Sequence, residues 1–322
     1  MLFCRRLFFA ATGAWLVFNP LRANAVLFFA TGDPEFNTTA PSGLFAGSGW
    51  DLQGSFLGNF LGTPIAPRHF ITARHLGGSI GTPFEFQGVN YVTDAFVDDA
   101  ESDLRVWHVT SPFPDFAPLY TASNEVEKEL VVFGRGGLRG AEVHVGGAIA
   151  GWNADASAAV TRWGTNTVAR VGSSFGGTNN TLVANFSSNG LHPNEADLSV
   201  GDSGGAIFIQ DPDDDVWKLA GINSAVSGPY YTDLLGGGGF DAALFNQNGL
   251  FVRGPAVLGN ETFLPANGPG EFFATRVSAR TEFIETALTV PEPGTGALLS
   301  AGAVWLGSMR CRRRLAVSRA RT

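Results

Sequence analysis

The apolar stretches of this chain are short, and each is cut by Gly, Pro, Asn or Asp before a long helix can build. Runs rich in strand-forming residues recur at 55–61, 69–73, 84–93, 104–109, 129–134, 141–149, 181–186, 205–210 and 216–223. Runs of this length, bounded by turn formers, read as strands. The 42 glycines are roughly double the usual share of ~7% and mark the turns between them. Segments 206–209 and 216–222 flank Asp211, Pro212, Asp213, Asp214 and Asp215, which predicts a hairpin with an acidic turn. A last strand is expected at 274–278. Helical spacing follows over 279–288, where Phe283, Ile284, Ala287 and Leu288 share a face. No repeat of 20–50 residues is visible. The expected fold is all-β, two packed antiparallel β-barrels with a C-terminal helix, the barrels covering roughly 44–133 and 134–288.

The two ends read as addresses. Arg5 and Arg6, the apolar run 7–18 and the small-x-small triplet Ala23, Asn24, Ala25 form a secretion signal over 1–25. Its apolar run is shorter than the ~20 residues that span a bilayer, which favours cleavage over anchoring. At the other end Val290, Pro291, Glu292 and Pro293 precede an apolar stretch, 295–309, and the cluster Arg310, Arg312, Arg313, Arg314. Proline stops the preceding helix, the apolar stretch enters a membrane and the arginines halt transfer. This arrangement over 291–322 resembles the PEP-CTERM sorting signal of bacteria with an outer membrane. The resemblance implies processing by a sorting machinery, and a periplasmic, cell-surface or extracellular location for the body, 26–290. Membrane contact is then expected only through the terminal segments.

Nine of the 21 basic residues lie in these ends but only one of the 29 acids. The body is therefore strongly acidic, which argues against nucleic acid as a partner. Both cysteines, Cys4 and Cys311, also lie in the ends. The body is left without disulfides or thiolate metal sites, and its stability must come from its core.

Gly201-Asp202-Ser203-Gly204-Gly205 has the composition a nucleophilic serine requires. Glycines let the main chain bend so that Oγ is exposed and the N–H groups of Gly201 and Ser203 converge on a developing oxyanion. Phe70-Ile71-Thr72-Ala73-Arg74-His75 is a strand running into a polar turn that ends on a histidine, a rigid placement for a general base. His69, His108, His144 and His192 lack such a setting and read as structural or surface residues. Asp103-Leu104-Arg105-Val106-Trp107 places an acid at the start of an apolar strand, where it can accept the imidazole Nδ1–H. Asp98 and Asp99 are competitors without a strand directly behind them and read as a solvated acidic loop.

The order His, Asp, Ser in these three motifs resembles the trypsin/chymotrypsin family of serine proteases. Leu219-Ala220-Gly221-Ile222-Asn223-Ser224 is similar to its cleft-lining strand, and Thr275 to Ser278 with Phe283 and Ile284 to its closing strand and helix. The resemblance spans roughly 44–288. It implies a secreted endopeptidase with His75, Asp103 and Ser203 as catalytic triad, a polypeptide substrate and no cofactor. The same groups serve an esterase, and the fold without activity serves as a surface binding module. For the substrate pocket the resemblance implies Asp197, Ser224 and Val226. Asp197, six residues before Ser203, points to a preference for Arg or Lys; Val226 points to a narrowed entrance and small residues. It further implies that Asp202 pairs with a freed N-terminal ammonium, here that of Val26, with an internal partner as the alternative. The chain departs from the family in its short His75–Asp103 spacing, in Arg74 before the histidine, and in Gly- and Trp-rich segments around Trp152 and Trp163 to which no role attaches. The 211–215 acids read as a solvated turn rather than a Ca²⁺ loop, since their spacing fits no defined ligand set.

Overall fold

The computed structural model describes residues 26–157, 160–174, 177–187, 193–257 and 260–289. The expected leader and sorting segment, and His192, lie outside the described residues. Among the described residues no helix is long and apolar enough to cross a membrane.

After a short strand β1 (Leu27–Phe28), six strands form the first barrel: β2 (Gly54–Phe56), β3 (Phe60–Ala66), β4 (His69–Ala73), β5 (Pro83–Phe86), β6 (Val89–Asp98) and β7 (Leu104–Val109). They close in the order β2-β3-β4-β7-β6-β5, each pairing antiparallel. Alternation aims Phe84 and Phe86 of β5 inward. There they meet Phe56, Phe70, Tyr91, Trp107 and Phe113 in an aromatic core, with Phe70 stacked on Phe84 at 3.9 Å. Gly54 is required by this filling, because a Cβ there would run into the Phe84 ring.

Eight strands follow: β8 (Glu129–Gly134), β9 (Gly137–Val145), β10 (Ala148–Ser157), β11 (Arg162–Gly172), β12 (Thr181–Asn185), β13 (Ala196–Asp197), β14 (Ala206–Gln210) and β15 (Trp217–Val226). The rest are β16 (Tyr230–Tyr231), β17 (Ala242–Leu244), β18 (Phe251–Val257), β19 (Asn260–Pro265), β20 (Glu271–Arg276) and the helix α1 (Thr281–Thr289). The second barrel closes as β11-β12-β20-β15-β14-β8. The fold is the expected one, two six-stranded antiparallel barrels in a trypsin-like all-β arrangement with a C-terminal helix.

Three expectations change. β8 belongs to the second barrel, pairing with β11 and β14, so the barrels divide within 110–128 rather than at 133/134. Leu130, Val131, Val132 and Phe133 are all buried, and a run buried on both faces carries no periodicity that assigns it to either barrel. Segments 55–61, 84–93 and 141–149 are hairpins rather than single strands. Their tips hold consecutive positive-φ residues, Leu57-Gly58, Gln87-Gly88 and Gly146-Gly147, and for the last two this is the geometry of the tight type I′ turn. Finally, β11 and two three-stranded sheets, β17-β10-β9 and β16-β18-β19, were not expected.

A further apolar cluster joins the barrels. Leu61, Ile71, Ala73, Leu104 and Val106 of the first pack with Val131, Phe133, Ala206, Phe208, Leu219 and Ile222 of the second, and Ile284 and Ala287 of α1 close it. The ends of β4, β7 and β14 are thereby fixed to one another, and the candidate site lies on those ends.

Candidate active site

The register of the first barrel brings two of the singled-out residues together. β4 and β7 pair with Ala73 opposite Leu104, so the residues just beyond Ala73 and just before Leu104 are neighbours. The chain leaves β4 in one 3-10 turn, Arg74–Leu76. Arg74 N–H donates to Asp103 O at 2.8 Å, His75 N–H to Asp103 Oδ1 at 2.9 Å, and His75 Nδ1 lies 2.5 Å from Asp103 Oδ2. The Asp103 side chain is 1% exposed, that of His75 42%. The carboxylate is thus spent on orienting one imidazole, whose other edge is open.

The second barrel supplies Ser203. The turn that carries it is bent by Gly201 (φ 105°) and Gly204 (φ 80°), conformations that favour glycine. A Cβ at Gly204 would strike Leu61 O and Thr72 Oγ1 of the first barrel, so the turn sits directly against β3 and β4. Ser203 Oγ lies 2.9 Å from His75 Nε2. Asp202, Gly204 and Gly205 donate their N–H groups to Ser199, Asn223 and Asp202 carbonyls. Among the described residues the N–H groups of Gly201 and Ser203 have no such partner. Two donors are left beside the hydroxyl.

Asp202, next to Ser203 in the chain, is buried. Its buried carboxylate accepts N–H groups from Gly136 at 2.6 Å and Ser199 at 2.7 Å, the Ser199 hydroxyl at 3.1 Å, and the N–H of Val26. Burial pushes its pKa up to about 6 against the pull of these donors. Internal donors thus hold Asp202 together with the backbone N–H of Val26, the residue expected to supply an ammonium. Val26 is fully buried, and β1 pairs with β13 to hold it there.

Arg162 is a residue that sequence reasoning missed. Its guanidinium donates to Phe36 O at 2.7 Å, Asp33 O at 2.6 Å and Val26 O at 3.3 Å, and lies 4.7 Å over the Phe28 ring. The neighbouring Trp163 donates its indole N–H to Thr39 O at 2.9 Å. Trp152 packs with Phe29, Phe186 and Phe245, under Arg139 at 3.5 Å. Both tryptophans thus anchor the N-terminal segment. The only signal in sequence was a basic residue beside an aromatic one in an apolar stretch.

A pocket of about 180 Å³ opens beside Ser203, lined by residues 198–203 and 223–226. Ser224 and Val226 are in its wall, and Asp197 is not. Asp197 is 3% exposed, paired through β13 with β1, and its Oδ1 accepts the Leu198 N–H at 2.8 Å. Burial, with Asp202 and Glu195 nearby, pushes its pKa up to about 7. The carboxylate expected in the substrate pocket is buried outside its lining.

The neighbouring acids are both paired, Asp98 at the exposed surface as expected and Asp99 buried against expectation. Asp98 grips Arg105 through both oxygens at 2.5 and 2.8 Å, and Arg105 also holds Gly77 O at 2.8 Å. Asp99 is 2% exposed and takes Arg280 at 2.6 and 2.7 Å and the Ser102 hydroxyl at 2.5 Å. Burial opposes its charge, but these bonds hold its pKa below the usual value. Arg74, the departure noted before the histidine, donates to a carbonyl, Asp99 O, at 2.5 Å. In the 211–215 turn Lys218 lies 2.8 Å from Asp211 and 2.7 Å from Asp214, so an ammonium balances those acids. His108 lies 2.5 Å from Asp94 and edge-on to His69, whose pKa burial lowers to about 4; His144 contacts Glu142 at 3.1 Å.

No protein-family model matches this chain, and no curated protein sequence matches it.

Proposed function

We propose that the chain is a serine endopeptidase that cleaves polypeptides by acyl transfer outside the cytoplasm. The observation that carries this reading is a single connected array. Asp103 Oδ2, His75 Nδ1, His75 Nε2 and Ser203 Oγ succeed one another at 2.5 and 2.9 Å, with two unpaired N–H groups and an open pocket beside the hydroxyl.

In this mechanism Ser203 Oγ attacks the scissile carbonyl as His75 Nε2 takes its proton. Asp103 keeps the proton on Nδ1 and stabilises the imidazolium. The N–H groups of Gly201 and Ser203 receive the oxyanion, a role worth on the order of 10²–10³ in turnover per donor. The imidazolium then protonates the departing amine as the C–N bond breaks. Water, deprotonated by the same imidazole, releases the acyl group and restores the Ser203 hydroxyl. No step draws on a metal or organic cofactor. The export and sorting readings of the two ends complete the proposal: a leader directs the body out of the cytoplasm and a C-terminal machinery handles its tail.

The test is hydrolysis of an unstructured polypeptide by the wild type and by Ser203→Ala, with ester and amide substrates in parallel. We expect amide cleavage that the substitution lowers by at least ~10⁴ while the unfolding midpoint is kept. Ester cleavage without amide cleavage would make the chain an esterase. Undiminished amide cleavage by Ser203→Ala would remove Ser203 from the mechanism.

A further inference from the structure

A trans peptide is planar, so its C=O and N–H point in opposite directions. The Asp202–Ser203 bond is trans. The Ser203 N–H is therefore aimed by whatever holds the Asp202 carbonyl from the other side.

A side chain of β15 holds it. Asn223 Nδ2 donates to Asp202 O at 3.2 Å and to Phe133 O at 2.8 Å, so the amide has a hydrogen for each carbonyl. The Gly205 N–H donates to the same Asp202 O at 3.2 Å. The main chain of Asn223 grips the turn as well. Its N–H donates to Gly205 O at 2.8 Å, and its carbonyl accepts the Gly204 N–H at 3.0 Å. Asn223 is 1% exposed and paired with Ala274 of β20, so it is anchored in the barrel rather than carried by the turn.

The amide is out of place in its row. Leu219, Ala220 and Ile222 of the same strand are fully buried apolar residues. Asn223 Oδ1 is buried and meets no donor among the described residues. An unpaired buried acceptor destabilises the fold, and reversing the amide would set this oxygen against two carbonyl oxygens. The two carbonyls thus fix the orientation of the side chain. Gly205 leaves the room it needs: a Cβ there would strike Phe133 O and come within 2.8 Å of Asn223 Nδ2.

We propose that Asn223 is a positioning residue for the oxyanion: by holding Asp202 O it fixes the direction of the Ser203 N–H. It acts through the Asp202–Ser203 peptide and not on the reacting atoms. The inference rests on the reading of Ser203 as the nucleophile.

The experiment uses the full chain expressed for export, as wild type, Asn223→Leu, Asn223→Ala and Asn166→Leu. Asn166 is the matched control. Its Nδ2 bridges Asn185 O and Ala196 O at 3.0 and 2.9 Å in the same barrel, away from the 201–205 turn. The probe is a peptidyl trifluoromethyl ketone built on the residue the wild type cleaves best. Ser203 Oγ adds to its carbonyl carbon, His75 takes the hydroxyl proton, and the ketone oxygen becomes an oxyanion at the two N–H donors. Its Ki, like KM, does not depend on the folded fraction, and active sites are counted by mass as fluorophosphonate adducts to give kcat. Either Asn223 variant is expected to raise Ki and lower kcat about 10- to 100-fold, within the ~10²–10³ that a whole donor supplies. KM should stay within about 3-fold, the split that marks an interaction made only in the transition state. Asn166→Leu is expected to lower the unfolding midpoint and leave Ki unchanged. An Asn223 variant that binds the ketone as tightly as the wild type overturns the proposal. So does an equal weakening by Asn166→Leu, which would make the effect a general loss of packing. A wild-type adduct with an unmoved Ki in the Asn223 variants removes only the role of Asn223; a wild type with neither adduct nor hydrolysis removes the nucleophile as well.

Discussion

Asp197 and Asp202 are buried acids six residues and one residue before Ser203, and both hold their protons more tightly than an exposed carboxylate, at about 7 and about 6. For both, burial is the main cause. Asp202 is compensated by donors from three segments, whereas the bond at Asp197 comes from its own neighbour, Leu198. An acid with a raised folded pKa favours the folded state fully at pH below its unfolded value of ~4. That advantage is lost as pH rises through the folded value, because the unfolded chain has already released the proton. Stability should therefore fall between about pH 4 and pH 7. Asp197→Asn removes one of the two contributions. Between pH 5 and pH 8 urea unfolding of the wild type should lose roughly 2 kcal/mol relative to Asp197→Asn, each pKa unit being ~1.4 kcal/mol. Parallel pH profiles for the two proteins would contradict this. The position of Asp197 in the chain suggested a cation-binding pocket. What decided otherwise was the pairing of β13 with β1, a contact across about 170 residues that no local pattern records.

Among elements, the turn from β6 to β7 carries the most consequence, because it delivers Asp103. It is held from outside the first barrel. Arg280, at the threshold of α1, donates to both oxygens of Asp99 and to Glu101 at 2.8 Å, and Asn180 Nδ2 donates to Glu101 O at 2.7 Å. Arg280→Met leaves Asp99 buried with its main counter-charge gone. It should cost about 2 kcal/mol and slow turnover more than it raises KM, since the orientation of His75 depends on this turn. An unchanged unfolding midpoint would show the clamp to be idle. Legibility in sequence followed element type. Each of the three motif residues sits beside a strong apolar strand, β4, β7 or β14, and glycines flank Ser203, so local patterns located them. The β16–β19 region was illegible because Gly254 and Pro255 interrupt β18 where its pairing with β19 shifts register between Gly254 and Val257, the kind of irregularity at which Gly and Pro are tolerated. β11 was missed because its run buried on both faces mixes Arg162, Trp163, Gly164, Thr165 and Asn166, a mixture without clear alternation.

Across the whole molecule, the N-terminal segment connects everything that surrounds Ser203. Val26 N–H meets Asp202, Phe29 packs with Trp152 of β10 and with Phe245, and Arg162 of β11 holds the backbone from Val26 to Phe36. If cleavage frees the Val26 amine, an ammonium replaces a neutral N–H at a buried carboxylate, a change from a hydrogen bond to a charge-assisted one. Protein beginning at Val26 should therefore exceed protein with one extra N-terminal residue in kcat/KM by roughly 10-fold or more, the ~1.4 kcal/mol expected of such a bond. Equal activity would show that the buried amide suffices. The central claim, that Asp103, His75 and Ser203 form one working array, is tested most directly by a fluorophosphonate probe, read by intact mass and peptide mapping. The account predicts a single adduct on Ser203, formed at least ~10³ more slowly in His75→Ala and in Asp103→Asn. A folded wild type that takes up no probe, or labels equally fast without His75, would contradict it.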